Sequence, residues 1–367
     1  MTRTLRAALA AAASVALLAG CAAPGATGDG TPTPTADTRP LSELELYPDP
    51  KAVEGPSTAV VASDAVDPIV EHPAQTLPAS VTSHDPDGDR EVTVDDTSRV
   101  LAIDIAGSLA ATVWGLGLGD SLVGRDMSTT FPGTEELPVV TSGAHAVNAE
   151  SVLALRPTLV ITDGSIGPRD VLEQLRDSGV AVVFVANEPS FEGAAQLARD
   201  VAAVLGVPDV GEQLATKIAD DVAETIAQID QVAPASDDAK LRVMFLYLRG
   251  GSGIYYLFGE ESGASALIRA LGARDIAGEL GWQGSTPMTD EAMIQADPDL
   301  ILVMTDGIAS AGGVDGLLAA KPAIALTTAG QHRRFVDMAD GEILSFGPRS
   351  AAVLDALARA IYAKPAG

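Results

Sequence analysis

Cysteine is almost missing from this chain: there is one in 367 residues, Cys21. A single thiol excludes an intrachain disulfide framework, a zinc–cysteine cluster and a redox cysteine pair. Aromatic residues amount to 4%, too few for the stacking platforms that hold bases. Basic side chains are scarce as well, with 23 Lys and Arg against 50 Asp and Glu and a formal net charge of -27. A field of that sign repels phosphate backbones and anionic lipid surfaces, so nucleic acid is excluded as a partner. The signatures of covalent chemistry are also missing. There is no G-x-S-x-G elbow, no H-E-x-x-H, no Walker A motif and no dinucleotide fingerprint at a strand–helix junction. G-L-G-L-G-D at 115–120 closes a helical pattern rather than joining a strand to a helix, so it does not read as a phosphate loop. The chain is read as a binding protein, not an enzyme.

What is present begins with Arg3 and Arg6, followed by an apolar run from Ala7 to Ala19 broken only by Ser14. This is the pattern of a signal peptide, residues 1–20, and it is too short to span a bilayer comfortably. Leu18-Ala19-Gly20-Cys21 resembles the bacterial lipobox, which implies cleavage before Cys21 and lipid on that cysteine. No later apolar run has transmembrane length, so membrane attachment is expected through the lipid alone, on the extracytoplasmic face. Residues 21–90 are rich in Pro, Gly, Thr and Asp and read as a largely disordered tether. His72 and His84 in this stretch read as solvent-exposed.

From about residue 91 strands alternate with helices, and the strands are apolar on both faces, as parallel strands between helical layers must be. Expected strands cover Glu91–Val94, Arg99–Asp104, Ser121–Gly124, Thr158–Ile161 and Val180–Val185. Leu214, Ile218, Val222, Ile226 and Ile229 then recur at a helical period, predicting one long helix over 209–233. The words repeat on either side of it. E-S-V-L-A-L-R-P-T-L-V-I-T-D-G, Glu150 to Gly164, is echoed by E-A-M-I-Q-A-D-P-D-L-I-L-V-M-T-D-G, Glu291 to Gly307. The prediction is an α/β protein of two Rossmann-like, three-layer lobes, 91–208 and 240–363, joined by one long helix with a ligand cleft between them.

The second lobe opens on L-R-V-M-F-L-Y-L-R-G-G-S-G, Leu241 to Gly253. This is a buried strand that ends in a glycine-rich turn. Tyr247 and Arg249, two apart, point to the same side of an extended backbone. A guanidinium beside a phenol favours the phenolate, a hard anionic ligand suited to ferric iron. In the first lobe, T-S-G-A-H brings His145 to a loop that matches Thr286-Pro287-Met288 in the repeat. Both sites fall at carboxyl ends of strands, so His145 and Tyr247 form a candidate axial pair for haem iron, one from each lobe. Met288 is a candidate soft wall or backup ligand, Tyr255, Tyr256 and Trp282 are candidate ring contacts, and Arg125 is a candidate partner for a propionate.

Over Glu91 to Tyr362 the chain resembles the substrate-binding lipoproteins of bacterial iron-siderophore, haem and cobalamin ABC importers, and within them the haemin-binding proteins of actinobacteria. The marks are R-V-L-A-I-D (99–104), G-L-G-D-S-L-V-G-R-D (117–126), S-T-T-F-P (128–132), T-S-G-A-H (141–145), N-A-E-S-V-L-A-L-R-P-T-L-V-I-T-D (148–163) and Y-L-R-G-G (247–251). The resemblance implies haem b, as ferric haemin, for the cargo. It implies Tyr247 as an iron ligand hydrogen-bonded by Arg249, with His145 opposite. It implies Glu150 and Glu291 as docking points for arginines of the importer permease, and through the permease contact with its ATPase. A monomer is expected, taking haem from a donor surface protein. The rivals are a ferric-siderophore or cobalamin carrier on the same scaffold, a haem-processing or chelatase enzyme, and a purely structural envelope lipoprotein.

Overall fold

The computed structural model describes residues 37–142 and 145–365. The expected signal peptide and the Cys21 lipidation site lie outside the described residues, as do two positions of the T-S-G-A-H motif, 143 and 144.

The first lobe holds a hairpin of β2 (Ala79–Ser83) and β3 (Arg90–Val94), preceded in the chain by the short β1 (Ser57–Thr58). Its sheet is β4 (Val100–Ile103), β5 (Leu159–Thr162) and β6 (Ala181–Phe184), all parallel and in that order. Around it stand α1 (Ser108–Gly115), α2 (Ala149–Ala154), α3 (Arg169–Asp177) and α4 (Phe191–Val204). The unbroken apolar strands have a simple cause. Val100 and Ala102 feed a core shared with α1 and α4, while Leu101 and Ile103 feed a second core with α3. With side chains alternating across the sheet, both faces must be apolar when both are covered.

Next comes α5 (Pro208–Asp230), with proline at its first turn, where a missing N–H costs nothing. Its 23 residues run about 34 Å at 1.5 Å per residue. Leu214, Ala215 and Ile218 pack into the first lobe's core, and Val222 and Ile229 into the second lobe's. One helix face thus belongs to two cores, and its own hydrogen-bonded backbone ties the lobes at a set separation.

The second lobe follows with β7 (Arg242–Arg249), β8 (Ile254–Phe258), α6 (Ala264–Ala270), β9 (Arg274–Asp275), α7 (Ile276–Glu279), β10 (Ser285–Pro287), α8 (Asp290–Ala296) and β11 (Leu300–Met304). Then come α9 (Thr305–Ser310), α10 (Gly313–Ala320), α11 (Pro322–Ala325), α12 (Thr328–His332), β12 (Phe335–Met338) and α13 (Ser350–Tyr362). Its sheet has the order β1-β12-β11-β7-β8-β10, with β9 beside β7. β7 lies inside this sheet, and Val243 and Phe245 face one core while Met244, Leu246 and Leu248 face another. The sheet is mixed: β8 runs antiparallel to both its neighbours, β7 and β10, because the glycine turn after Arg249 is tight enough to reverse the chain into a hairpin.

Two expectations are corrected. Residues 37–90 are not a tether. Leu41, Ala59 and Val61 are buried in the second lobe's core, and Val66 in the first lobe's. The backbone is bonded along the way, Ala59 N to the Asp337 carbonyl at 2.7 Å and Ile69 N to the Gly115 carbonyl at 2.8 Å. The stretch is a strap that crosses from one lobe to the other between 61 and 66. Its proline-broken pattern shows no period because its hydrogen bonds are supplied by the lobes rather than by itself. Ser121–Gly124 is not a strand either. Leu122 makes one isolated bridge to Val100, after a short 3-10 turn at Gly119–Ser121.

Candidate functional site

At its end β7 presents Tyr247 and Arg249 on one side, as an extended backbone requires. The Arg249 guanidinium carbon lies 4.7 Å from the centroid of the Tyr247 ring, within cation–π range. Phe258, reached by the hairpin, stacks on Tyr247 with centroids 5.5 Å apart and planes 4° from parallel. The phenol is therefore braced by an aromatic ring and a cation. The Arg249 hydrogen bonds go to the Leu248 carbonyl at 3.0 Å and to an Asp340 carboxylate oxygen at 2.7 Å. The Tyr247 hydroxyl is not among its partners. The expected Arg249–Tyr247 hydrogen bond is replaced here by stacking, because Asp340 draws the donor fork over the ring face.

The repeated T-D-G turn has a use at this place. Asp306 N–H donates to the other oxygen of Asp340 at 2.9 Å. At Gly307 a Cβ would stand 2.9 Å from the Leu248 carbonyl and 3.2 Å from Arg249 Nη1. Any larger residue would push against the guanidinium.

From the other lobe comes His145, half-buried in a loop, with left-handed backbone at φ 53° and its N–H bonded to the Ser142 carbonyl at 2.8 Å. Its Nδ1 is buried and has no hydrogen-bond partner among the described residues. Burial, with the Arg249 charge second, pushes the imidazole below its ordinary value. The ring is thus held in its neutral, ligating form at neutral pH.

His145, Tyr247 and Arg249 line one cavity of about 490 Å³ between the lobes, within the range of roughly 300–1,000 Å³ usual for small-molecule sites. Its walls come from the ends of strands: Ile105 and Ala106 after β4, Asp163 after β5, Pro189 after β6, Met304 at the end of β11. Beneath the first wall, Asp104 is fully buried. It accepts hydrogen bonds from Ser108 Oγ at 2.7 Å and from the Leu109 N–H at 3.0 Å, so it caps α1. Burial, then the Asp126 and Asp163 carboxylates, raise it to about 7.

The remaining candidates do not line this cavity. Arg125 donates to the Thr129 carbonyl at 2.9 Å and is spent inside its own loop. Tyr255, Trp282 and Met288 pack against the core on the far side of the sheet, with Lys321 over the Tyr255 ring. Tyr256 pairs directly with Tyr247 across the hairpin but lies outside the lining. Residues that sequence reasoning missed include Asp340, Phe258, Met304, Asn187 and Glu261. They are lone residues in loops or at strand ends. Only the T-D-G repeat, which anchors Asp340, carried a signal.

Glu150 and Glu291 are both exposed and occupy equivalent places, each the second residue of a short helix ahead of a parallel strand. Asn148 caps the first by accepting from Ser151 N, and Thr289 caps the second by accepting from Ala292 N. Among the described residues no helix is long and apolar enough to cross a membrane, and no group of three or more His, Cys, Asp or Glu could hold a bare metal ion.

Known proteins are similar to this chain. The solved structure of heme binding protein HmuT is 39% identical, covers 86% of this chain and 100% of its own, and gives a TM-score of 0.80. Variants of that protein with one tyrosine, one arginine or one histidine changed to alanine are structural neighbours as well. The uncharacterized ABC transporter substrate-binding lipoprotein YvrC of Bacillus subtilis is 26% identical over 283 residues, 74% of this chain and 85% of that protein. The cobalamin-binding protein of Halobacterium salinarum is 24% identical over 308 residues, 83% of this chain and 81% of its own length. The family model described as periplasmic binding protein matches residues 104–340, the span that contributes nearly all of the cavity lining. With two lobes on one helix and a cleft at the strand ends, this chain belongs to the periplasmic binding protein family.

Proposed function

We propose that this protein captures ferric haem outside the cytoplasmic membrane and passes it to the permease of an ABC importer. The observation that carries the reading is the meeting in one interlobe cavity of Tyr247, with Arg249 over its ring, and His145, whose Nδ1 has no hydrogen-bond partner among the described residues. Tyr247 is the principal iron ligand and His145 the second, one from each lobe. A phenolate and a neutral imidazole are hard and borderline donors that suit ferric iron. Ile105, Ala106, Phe258, Leu344 and Phe346 supply apolar walls for a flat ring. No bond of the cargo is made or broken.

The similarity to heme binding protein HmuT supports haem as the cargo. The lipobox-like cysteine supports a lipid anchor, and the paired Glu150 and Glu291 support docking on a two-fold permease. The cobalamin-binding relative favours a second reading, a corrinoid in the same cavity. Titration of the folded region with haemin and with cyanocobalamin separates them. Haemin is expected to give a shifted Soret band that Tyr247→Ala removes, and cyanocobalamin no saturable change. A protein that stays colourless with haemin, or whose Tyr247→Ala and His145→Ala variants bind it unchanged, overturns the proposal.

A further inference from the structure

The charges facing the cavity are lopsided. Asp163, Glu261 and Asp340 line it, against one guanidinium, Arg249, among the described residues. That guanidinium is already paired with Asp340 at 2.7 Å. Most of the neutral donors are committed too, the Ser285 and Tyr247 hydroxyls being the exceptions among the described residues. Ser108 Oγ donates to Asp104, Ser128 Oγ to the Ile105 carbonyl, Ser165 Oγ to Asp163 and Ser262 Oγ to the Gly259 carbonyl. Asn187 Nδ2 donates to Asp163 at 2.9 Å. Glu261 is exposed and sits at φ 69°, a left-handed conformation uncommon for a side chain of its kind. An anionic group entering this space meets carboxylates and finds no unpaired cation and few free hydrogen-bond donors. Such a group would give up its water for nothing in return.

We propose that the lining is a charge filter. It admits the part of a ferric chelate that is neutral or cationic, keeps the ligand's carboxylates in solvent at the mouth, and rejects polyanionic iron chelates. Glu261 and Asp163 are its specificity-determining residues. The inference rests on the haem reading for what the cavity accepts, and it adds which chemical features of that cargo go unread. A ferric porphyrin fits the rule, because iron and ring together carry one positive charge while both carboxylates sit on one edge.

Three probes offered to the folded protein test it, each followed by quenching of intrinsic fluorescence: haemin, its dimethyl ester, and a ferric tris-catecholate. The ester is expected to bind within about threefold of haemin, since losing a buried charge-assisted hydrogen bond would cost tenfold or more. The tris-catecholate is expected not to bind wild type, and to gain affinity in Glu261→Gln and Asp163→Asn. An ester weakened more than about tenfold overturns the filter, as does a tris-catecholate that binds wild type as tightly as haemin. Failure of both variants to admit the chelate overturns it as well. If haemin itself does not bind, the haem reading falls, while the tris-catecholate arm still decides the filter.

Discussion

Arg249 and Asp340 form an ion pair at 2.7 Å, and the guanidinium so held lies over the Tyr247 ring, 4.7 Å from its centroid. Burial pushes the Asp340 carboxyl above its ordinary range, and the Asp306 N–H and the Arg249 charge pull it back. The pair is half-buried, so its worth lies in geometry more than in energy. It keeps a cation beside the phenol while the guanidinium's hydrogen bonds go to the Leu248 carbonyl and Asp340 rather than to the phenol oxygen.

Removing that cation should weaken the iron–phenolate bond. Arg249→Ala is expected to lower haemin affinity by about tenfold, the usual range for outer-shell partners of metal ligands. With less positive charge nearby, protons should displace the iron from Tyr247 at a less acidic pH than in wild type. Absorbance spectra of the complex between pH 4 and 9 would check this, and a profile unchanged from wild type would count against a role for Arg249.

The two candidate ligands should differ in weight. Tyr247→Ala is expected to lose about 100-fold or more in haemin affinity, and His145→Ala distinctly less, since an anionic oxygen meets ferric iron more strongly than a neutral nitrogen. Soret titrations of the two variants measure both. A larger loss at His145 would reverse the assignment.

Docking should be separable from capture. Changing Glu150 and Glu291 together to Gln leaves the cavity untouched, because both are exposed residues of first helical turns and neither lines it. Haemin affinity should stay as in wild type while haem-dependent growth falls. Unimpaired uptake by the double variant would place the permease contact elsewhere.

Asp104 predicts a pH dependence of stability. Its folded value of about 7 lies above the ordinary 3.8, chiefly through burial. Folding therefore favours the protonated form. The stability this group contributes is fully present below about pH 4 and is lost as pH rises through about 7. Asp104→Asn, which cannot ionise, should flatten the fall of melting temperature between about pH 4 and 7. Identical slopes for wild type and variant would show that the group titrates no differently on folding.

The strap makes a prediction of its own. Leu41 is 1% exposed, and truncating a buried leucine costs about 2–5 kcal/mol. Leu41→Ala should lower the melting temperature by several degrees, whereas in a loose tether the change would be silent. Equal melting curves would return this stretch to the status of a linker.

Periodicity and local chemistry make much of the architecture legible in the sequence. Strands buried on both faces, the long helix at 208–230, the repeated helix–strand units with Glu150 and Glu291 at matching places, and the same-side pair Tyr247 and Arg249 all follow from backbone geometry that holds wherever the pattern occurs. The strap and the rest of the cavity did not follow. Leu41, Val61 and Val66 are isolated apolar residues with no period, and only the lobes they cross make them core.

What the chain's order of residues determined by itself is therefore the set of elements and the chemistry at the end of β7. Each of these depends on neighbours within a few residues. Only the tertiary structure decided that Asp340, ninety-one residues from Arg249, would take its guanidinium. It also decided that Phe258 would brace the phenol, and that Arg125, Tyr255, Trp282 and Met288 would be spent elsewhere. Those outcomes depend on which loops meet when two lobes close on one helix, and side chains so far apart in sequence leave no local pattern that announces their meeting.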